Sequence, residues 1–419
     1  MKTKLVPSIR FKGFTNAWEL KKLGDAGEFS SSNVDKVIRD NDFKVSVVNY
    51  MDVFNDIEIE LRNLKINTAT REQLSTKNVE KGDVFITPSS ETPEEIGFAK
   101  TTLKTLKNAV FSYHLVRYRS KNNFYYEFLD WYFKTQKIRN YFAVNAQGIQ
   151  RYTLGLTFFQ NCKLTIPKIN EQEKIVNLFT KIKSSLSLLQ RKLKMLENIK
   201  NTLLEKMFAS SKSLYPSIRF KGFTNAWELK RLGELCKGIG GVSLEKYFNP
   251  NGKYNVINIG SYGVDGEYND QLLRINKNNI SQNYLLNKDD LVMVLNDKTM
   301  EGNILGKVLY IDKSDKFIYN QRTQRLIIDE TKYNSKYIYY LMYSKHTRYK
   351  ILSIKQGTSQ IYINWSEVEK LSLNITSNYK EQCFIHKLFE NLKTNVLLLQ
   401  RKLKILENIK NTLLKKMFV

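Results

Sequence analysis

The chain repeats itself once, and that repeat limits its possible folds more than any other feature. PSIRFKGFTNAWELKKLG at 7–24 returns as PSIRFKGFTNAWELKRLG at 216–233, with Arg231 in the place of Lys22. LLQRKLKMLENIKNTLLEKMF at 188–208 returns as LLQRKLKILENIKNTLLKKMF at 398–418, with Ile405 for Met195 and Lys415 for Glu205. The offsets of 209 and 210 are half of the 419 residues. A period this long means one large unit present twice, not a solenoid of short repeats. Between the matching frames, 25–165 and 234–375 share almost no identity but keep landmarks. Lys81-Gly82-Asp83-Val84 faces Lys288-Asp289-Asp290-Leu291, and Gln147-Gly148 faces Gln356-Gly357. Two variable globular domains therefore sit in two near-identical frames, and the polar stretch ASSKSLY at 209–215 reads as a linker.

The second frame segment has the three-four spacing of a heptad seam. Its apolar positions are Ile175, Phe179, Ile182, Leu186, Leu189, Leu193, Leu196, Leu203 and Met207. The other copy gives Ile385, Phe389, Leu392, Val396, Leu399, Leu403, Leu406, Leu413 and Met417. One seam slot in each is a lysine, Lys200 and Lys410. Asn170-Glu171-Gln172-Glu173 reads as a capping box for the first helix, and Asn378 with Glu381 as its counterpart. About 38 residues at 1.5 Å each give helices roughly 55–60 Å long. A single helix with one apolar stripe needs a partner, and its duplicate is at hand. We expect the two to pair antiparallel about a pseudo-two-fold axis.

Strand candidates in the variable domains are 43–51, 83–88, 109–119, 290–295, 307–312 and 324–329. Helix candidates are the aromatic, basic stretches 124–142 and 335–352, each preceding the shared Gln-Gly. The expected class is mixed α+β: two α/β domains, at 1–168 and 211–376, joined by two long antiparallel coiled-coil helices, at 169–210 and 377–419, in a pseudo-two-fold duplication.

Charge narrows the function. There are 67 Lys and Arg against 41 Asp and Glu, a net +26. The helical segments 171–208 and 379–419 carry net +4 and +6, which leaves +16 elsewhere. Such an excess points to a polyanion, nucleic acid before an anionic membrane surface. No apolar run approaches the ~18 residues that span a bilayer. The N-terminal sequence lacks an apolar signal core, so we expect a chain that is not secreted. Cys162, Cys236 and Cys383 are far apart and odd in number, which fits a reducing cytoplasm.

Catalytic motifs are missing. There is no phosphate-cradling G-x-x-x-x-G-K-[ST]. No two of the six prolines are adjacent, which excludes the Asn-Pro-Pro-Tyr motif of aminomethyltransferases. Gly238-Ile239-Gly240-Gly241 reads as a turn. Glu19-Leu20-Lys21 and Glu228-Leu229-Lys230 resemble the tail of a nuclease motif but lack its upstream Pro-Asp. His114, His346 and His386 are isolated and read as packing or surface residues.

Reading bases takes side chains with paired donors and acceptors, Asn or Gln for adenine and Arg for guanine. Three polar clusters supply them. The first is Ser89, Ser90 and Thr92, matched by Asn296, Lys298 and Thr299. The second is Gln147, Gln150 and Arg151, matched by Gln356, Ser359 and Gln360. The third is Asn320, Gln321 and Arg322. These are the candidate DNA-binding residues.

At this point the chain resembles the specificity subunit of a type I restriction–modification system. The carrying features are P-x-I-R-F-x-G-F…W-x-x-x-x-L-G at Pro7–Gly24 and Pro216–Gly233, and the Gln-Gly closing each variable domain. Ile166-Pro167…Glu171-Gln172…Ile175 before the first helix and the duplicated helix itself complete the pattern. The second half departs from it, with Asn374-Ile375-Thr376-Ser377 and no proline. The resemblance implies two target recognition domains, each reading one half of a bipartite double-stranded DNA site. It implies helices that set the spacing and dock two methyltransferase subunits, which modify adenine, and two motor–nuclease subunits that cleave unmodified DNA. It implies no cofactor on this chain and no catalysis by it; S-adenosylmethionine, ATP and Mg2+ would be used by the partners. The non-seam residues Arg191, Lys192 and Lys194 recur as Arg401, Lys402 and Lys404. Seam pairing does not require this, so they are the candidate docking residues, against the alternative of a recent duplication. A self-sufficient enzyme and a scaffold that binds no DNA remain the rival readings.

Overall fold

The computed structural model describes residues 5–121, 124–278, 281–358 and 360–419. They form two compact units, Met1–Gln190 with Arg401–Val419, and Arg191–Gln400. The long helices are Ile169–Lys206 and Tyr379–Met417. Each unit thus holds one variable domain, the first part of the helix that follows it, and the end of the other helix.

Both units carry corresponding sheets, differing in the last, which has four strands in the first unit and three in the second. A two-stranded antiparallel pair opens each: Glu19–Lys22 with Lys163–Ile166, and Glu228–Arg231 with Ser372–Ile375. In each unit the first strand comes from the N-terminal frame, and the second leads into the long helix. A four-stranded antiparallel sheet follows. In the first unit its order is Gly27–Ser31, Val116–Ser120, Val84–Ile86, Ala99–Thr101. In the second it is Cys236–Gly240, Thr323–Ile328, Leu291–Val294, Val308–Tyr310. A further sheet built around one parallel pair completes each domain, Phe43–Val48 beside Leu106–Phe111 and Tyr254–Ile257 beside Phe317–Tyr319. The mixed α+β class and the common fold beneath divergent sequence are therefore found.

The frames explain themselves once folded. Arg10 makes a bidentate ion pair with Glu171 at 2.7 and 2.8 Å, and Arg219 makes the same pair with Glu381 at 2.7 and 2.9 Å. The neighbouring glutamines repeat each other too. Gln172 accepts from the Tyr125 amide and donates to the Pro167 carbonyl. Gln382 accepts from the Asn334 amide and donates to the Thr376 carbonyl. The Ile9 amide donates to the Lys416 carbonyl at 3.0 Å, and the Ile218 amide to that of Lys206 at 2.9 Å.

Those last contacts bring the end of one helix to the start of the other. In the first unit Phe418 packs on Phe179, Trp18 and Tyr132. In the second Phe208 packs on Phe389, Trp227 and Tyr337. Around them lie Ile175, Val176, Leu413 and Leu414 in one unit, and Ile385, Leu392, Leu196 and Leu203 in the other. In each unit the start of one helix meets the end of the other, which is the antiparallel arrangement expected. Every seam position is buried or half-buried, Lys200 and Lys410 included. Side chains also fasten each domain to its helix. Asp56 binds Lys183 of the helix together with Lys100 and Lys134, and Glu390 of the second helix binds Lys336 and Tyr340.

Several local expectations are corrected. Asn170 lies inside the helix, because the Glu171 and Gln172 amides bond the Lys168 carbonyl and the Glu171 carboxylate is taken by Arg10. Asn378 does cap, accepting from the Glu381 amide at 3.1 Å, but Glu381 turns its side chain to Arg219 and Thr376 rather than back to the cap. The stretch 109–119 is two strands, Leu106–Phe111 and Val116–Ser120. Residues 335–352 form two helices, because the Ser344 side chain caps the second by accepting from the Thr347 amide. Residues 124–142 divide likewise into Phe128–Tyr132 and Gln136–Asn145. Gly238–Gly240 is strand, not turn: a Cβ on Gly238 would lie 2.3 Å from the Trp365 indole, so glycine is there for close approach. No described helix is long and apolar enough to cross a membrane.

Removing one partner of a buried pair leaves an uncompensated charge and costs about 3–5 kcal/mol. Arg219→Met should therefore lower the urea midpoint of the full chain sharply. The double variant Arg219→Met with Glu381→Met should recover much of that loss. A single variant as stable as the parent would show that the pair contributes little.

Candidate nucleic-acid interface

The polar clusters matched by sequence become neighbours in space, in the same way in both units. Ser89–Ser90 pairs with Tyr152–Thr153, and Asn296–Asp297 pairs with Ile361–Tyr362, as small antiparallel ladders. Each second strand closes the hairpin that begins at Gln-Gly. Gln147 and Thr153 exchange backbone bonds at 2.9 and 2.8 Å, and Gln356 and Tyr362 at 2.9 Å each. Gly148 and Gly357 have φ of +138° and +96°, and a Cβ there would lie 2.0 or 2.2 Å from the Arg151 or Gln360 carbonyl oxygen. The recurrent glycine is thus a turn requirement. It holds Gln147, Gln150 and Arg151 exposed in one unit, and Gln356 and Gln360 exposed in the other. Ser359 lies outside the described residues.

Other candidates are placed differently. Ser89 and Ser90 are buried in the ladder: the Ser90 hydroxyl donates to the Thr92 carbonyl, and Ser89 accepts from Arg151 at 3.3 Å. They shape the loop, and Thr92 and Arg151 carry its exposed surface. Asn296 is half-buried and Lys298 exposed. Thr299 is exposed, but its hydroxyl is spent on Asp297 at 3.0 Å. Asn320 is buried, with its amide oxygen accepting from Leu244 and its nitrogen donating to Glu245. It is therefore a strut rather than a free reader. Gln321 and Arg322 are exposed, and Gln321 also donates to Glu245 at 2.8 Å.

The fold also brings in residues that the sequence did not single out. In the first unit a recess of about 360 Å³ is lined by Lys36, Asn49, Tyr50, Asn67 and His114. Burial lowers the His114 pKa, and the nearby cations Lys36 and Arg151 lower it further; Glu95 and Glu91 act with Arg151 on the neighbouring Tyr50, so charges of both signs surround the recess. These residues come from segments far apart in sequence, and no local pattern joins them. In the second unit Glu245 gathers Ser243, Asn320 and Gln321. A carboxylate exposed on such a face can accept from the cytosine amino group.

The six candidate docking residues, Arg191, Lys192, Lys194, Arg401, Lys402 and Lys404, are all exposed. No cluster of three or more metal-ligating side chains is found among the described residues. Burial pushes the Cys162 and Cys236 thiols up to about 12, which suits packing and not nucleophilic attack.

Residues 16–198 and 225–408 each match the family model described as the type I restriction modification DNA specificity domain. The chain belongs to that family. No curated protein sequence matches this chain significantly. Among solved structures, the type I restriction–modification S subunit of M. genitalium is similar at 14% identity over 99% of both chains, with a TM-score of 0.59. The HsdS subunit of Thermoanaerobacter tengcongensis is similar at 15% identity over 96% of both chains, TM-score 0.50. A third, from work on assembly and conformational transition of the type I R-M system, is similar at 13% identity over 95% of this chain and 96% of that one, TM-score 0.54. At these identities the likeness is one of fold. It gives this specificity-family chain an architecture of two domains and two long helices, and the two family matches fall on its two halves.

Glu245 offers a test of the loop geometry. The Ser243 hydroxyl, with the Asn320 and Gln321 amides, holds its carboxyl down to about 2 against the opposing effect of burial. A depressed pKa means that the clasp is fully formed above the ordinary carboxylate range and is lost as pH falls through about 2. The Glu245 side-chain carboxyl should titrate near that value by NMR. In Asn320→Ala its midpoint should move up toward the ordinary value. A parent midpoint near 4 would contradict the clasp.

Proposed function

We propose that this chain is the DNA-reading subunit of a type I restriction–modification complex. Each unit reads one half of a bipartite, asymmetric double-stranded site. The observation that carries this reading is the recurrence, in both units, of an exposed Gln-Gly hairpin laddered to a second polar loop. A fixed scaffold with variable exposed residues at matching places is what two different half-sites require. The +16 charge outside the helices supplies phosphate attraction and implies steep salt dependence.

The helices set the spacing between the half-sites and dock two methyltransferase subunits. These carry S-adenosylmethionine and methylate adenine, while two motor–nuclease subunits use ATP and Mg2+ to restrict unmodified DNA in the cytoplasm. The chain itself supplies recognition, not catalysis. Exchanging residues 25–165 for another domain of the family should change one half-site in a methylation map and leave the other intact. A simultaneous change in both halves would sink the modular reading.

The exposed cations Arg191, Lys192 and Lys194 recur as Arg401, Lys402 and Lys404, which fits two copies of one partner on two equivalent surfaces. Reversing the first three to glutamate should leave one methyltransferase subunit bound where the parent binds two, as read by native mass. Retention of both would favour a recent duplication as the cause of the identity.

A further inference from the structure

The second unit contains a basic recess that the base-reading loops do not use. Lys307, just before the strand Val308–Tyr310, is only 9% exposed. Lysine is almost never buried this deeply unless it is paired. Yet among the described residues it has no ion-pair partner: its ammonium donates to the Val264 carbonyl and lies 5.9 Å from the centre of the Tyr343 ring. Burial pushes it down to about 8, and the Arg348 and Lys200 cations add to this against Asp265.

Arg348 lines the same recess. One of its terminal nitrogens, Nη2, reaches the Gly302 carbonyl at 3.5 Å, while the other, Nη1, is shielded from solvent with no hydrogen-bond partner. Lys200, the polar slot in the helix seam, completes the set around a cavity of about 380 Å³. Two carboxylates also line it, Asp265 and Glu301; both are exposed, and Asp265 accepts from the Glu267 amide. Three cations thus converge around a lysine that has no ion-pair partner among the described residues, and Arg348 keeps a buried nitrogen without a partner, as Arg139 does in the first unit. A deeply buried lysine without an ion-pair partner, beside two further cations, argues for an anion that neutralises them.

The first unit provides a natural contrast. Gly97 and Gly306 occupy the same place, each in the left-handed region and each bonded back to the strand beside it, at Thr87 and Val294. The residue that follows is Phe98 in one unit and Lys307 in the other. Arg139 and Arg348 also correspond, each donating its amide four residues back to the cap, Thr135 or Ser344. In the first unit the guanidinium lies over the Phe98 ring at 4.6 Å. A cation in one unit replaces a ring in the other.

We propose that Lys307, Arg348 and Lys200 form a phosphate-binding site, present in the second unit only. Its occupant is a tetrahedral oxyanion held by the Lys307 and Lys200 ammonium groups, with the Arg348 charge beside them. Glu301, Gly302 and Asn303 at its edge continue the loop of Lys298 and Thr299. A backbone phosphate of bound DNA is therefore the occupant favoured, and for that source the inference rests on the DNA-reading function.

The test uses the full chain in two arms. In the first, inorganic phosphate is titrated against chloride at constant ionic strength, and the thermal unfolding midpoint is followed. The parent and Arg139→Met should be stabilised by phosphate; Lys307→Met and Lys200→Met should not respond. Lys200 is a half-buried helix position, so its variant keeps the test alive if the Lys307 variant folds poorly. In the second arm, duplex binding is measured against salt. If the source is DNA, Lys200→Met should reduce the slope of log K against log salt by about 0.9 for the one phosphate lost. An unchanged slope with a lost phosphate response would keep the site and assign it to free phosphate. Phosphate and chloride acting alike on the parent, with unchanged slopes in both variants, would overturn the proposal. Failure of the parent to bind any duplex would instead refute the DNA reading, while the phosphate arm still decides the recess.

Discussion

The buried arginine–glutamate pair, Arg10 with Glu171 and Arg219 with Glu381, is the constraint on which each unit depends. It joins the N-terminal frame to the first turn of a long helix across about 160 residues of variable sequence. A bidentate guanidinium–carboxylate pair fixes direction as well as distance. With the adjacent glutamine bonded to both neighbouring loops, it orients the helix relative to the sheet that precedes it. The aromatic cluster around Phe418 or Phe208 then seats the end of the other helix on that joint. Charge satisfaction and ring packing act at one place, twice.

The sequence between the joint residues differs almost throughout between the two units, yet it returns the chain to the same strand. The two-stranded pair at the base of each domain records this, with Glu19 opposite Ile166 and Glu228 opposite Ile375. Exposed residues on the loops above can therefore change without loss of the fold, whereas the frame cannot. This division suits a family whose members share an architecture and differ in the DNA that they specify.

The two units use that freedom differently. In the first, Arg151 and Lys36 act on His114, with Glu91 and Glu95 close to Arg151. In the second, the comparable region is organised by a carboxylate, Glu245, which holds Asn320 and Gln321 in place. Elsewhere in that unit, Lys307 follows Gly306 where the first unit has Phe98 after Gly97. The two units thus present different donor and acceptor groups at matching places.

The sequence by itself determined the duplication, the two long helices with their seams, the mixed class and the place of the polar clusters. Those features are carried by identity at a fixed offset and by a three-four spacing, both of which survive without any knowledge of contacts. It also placed Gln-Gly correctly without giving its reason, which is a left-handed turn that admits no Cβ. It misplaced the cap at Asn170, because the competing claim on Glu171 comes from Arg10, far away in the chain. It could not see that Ser89, Ser90 and Asn320 point inward, that His114 joins Arg151, or that Lys200 meets Lys307 and Arg348. Burial, pairing and shared cavities depend on long-range packing, and a side chain's role changes from reader to strut according to which distant group satisfies it. Those assignments belonged to the tertiary structure alone.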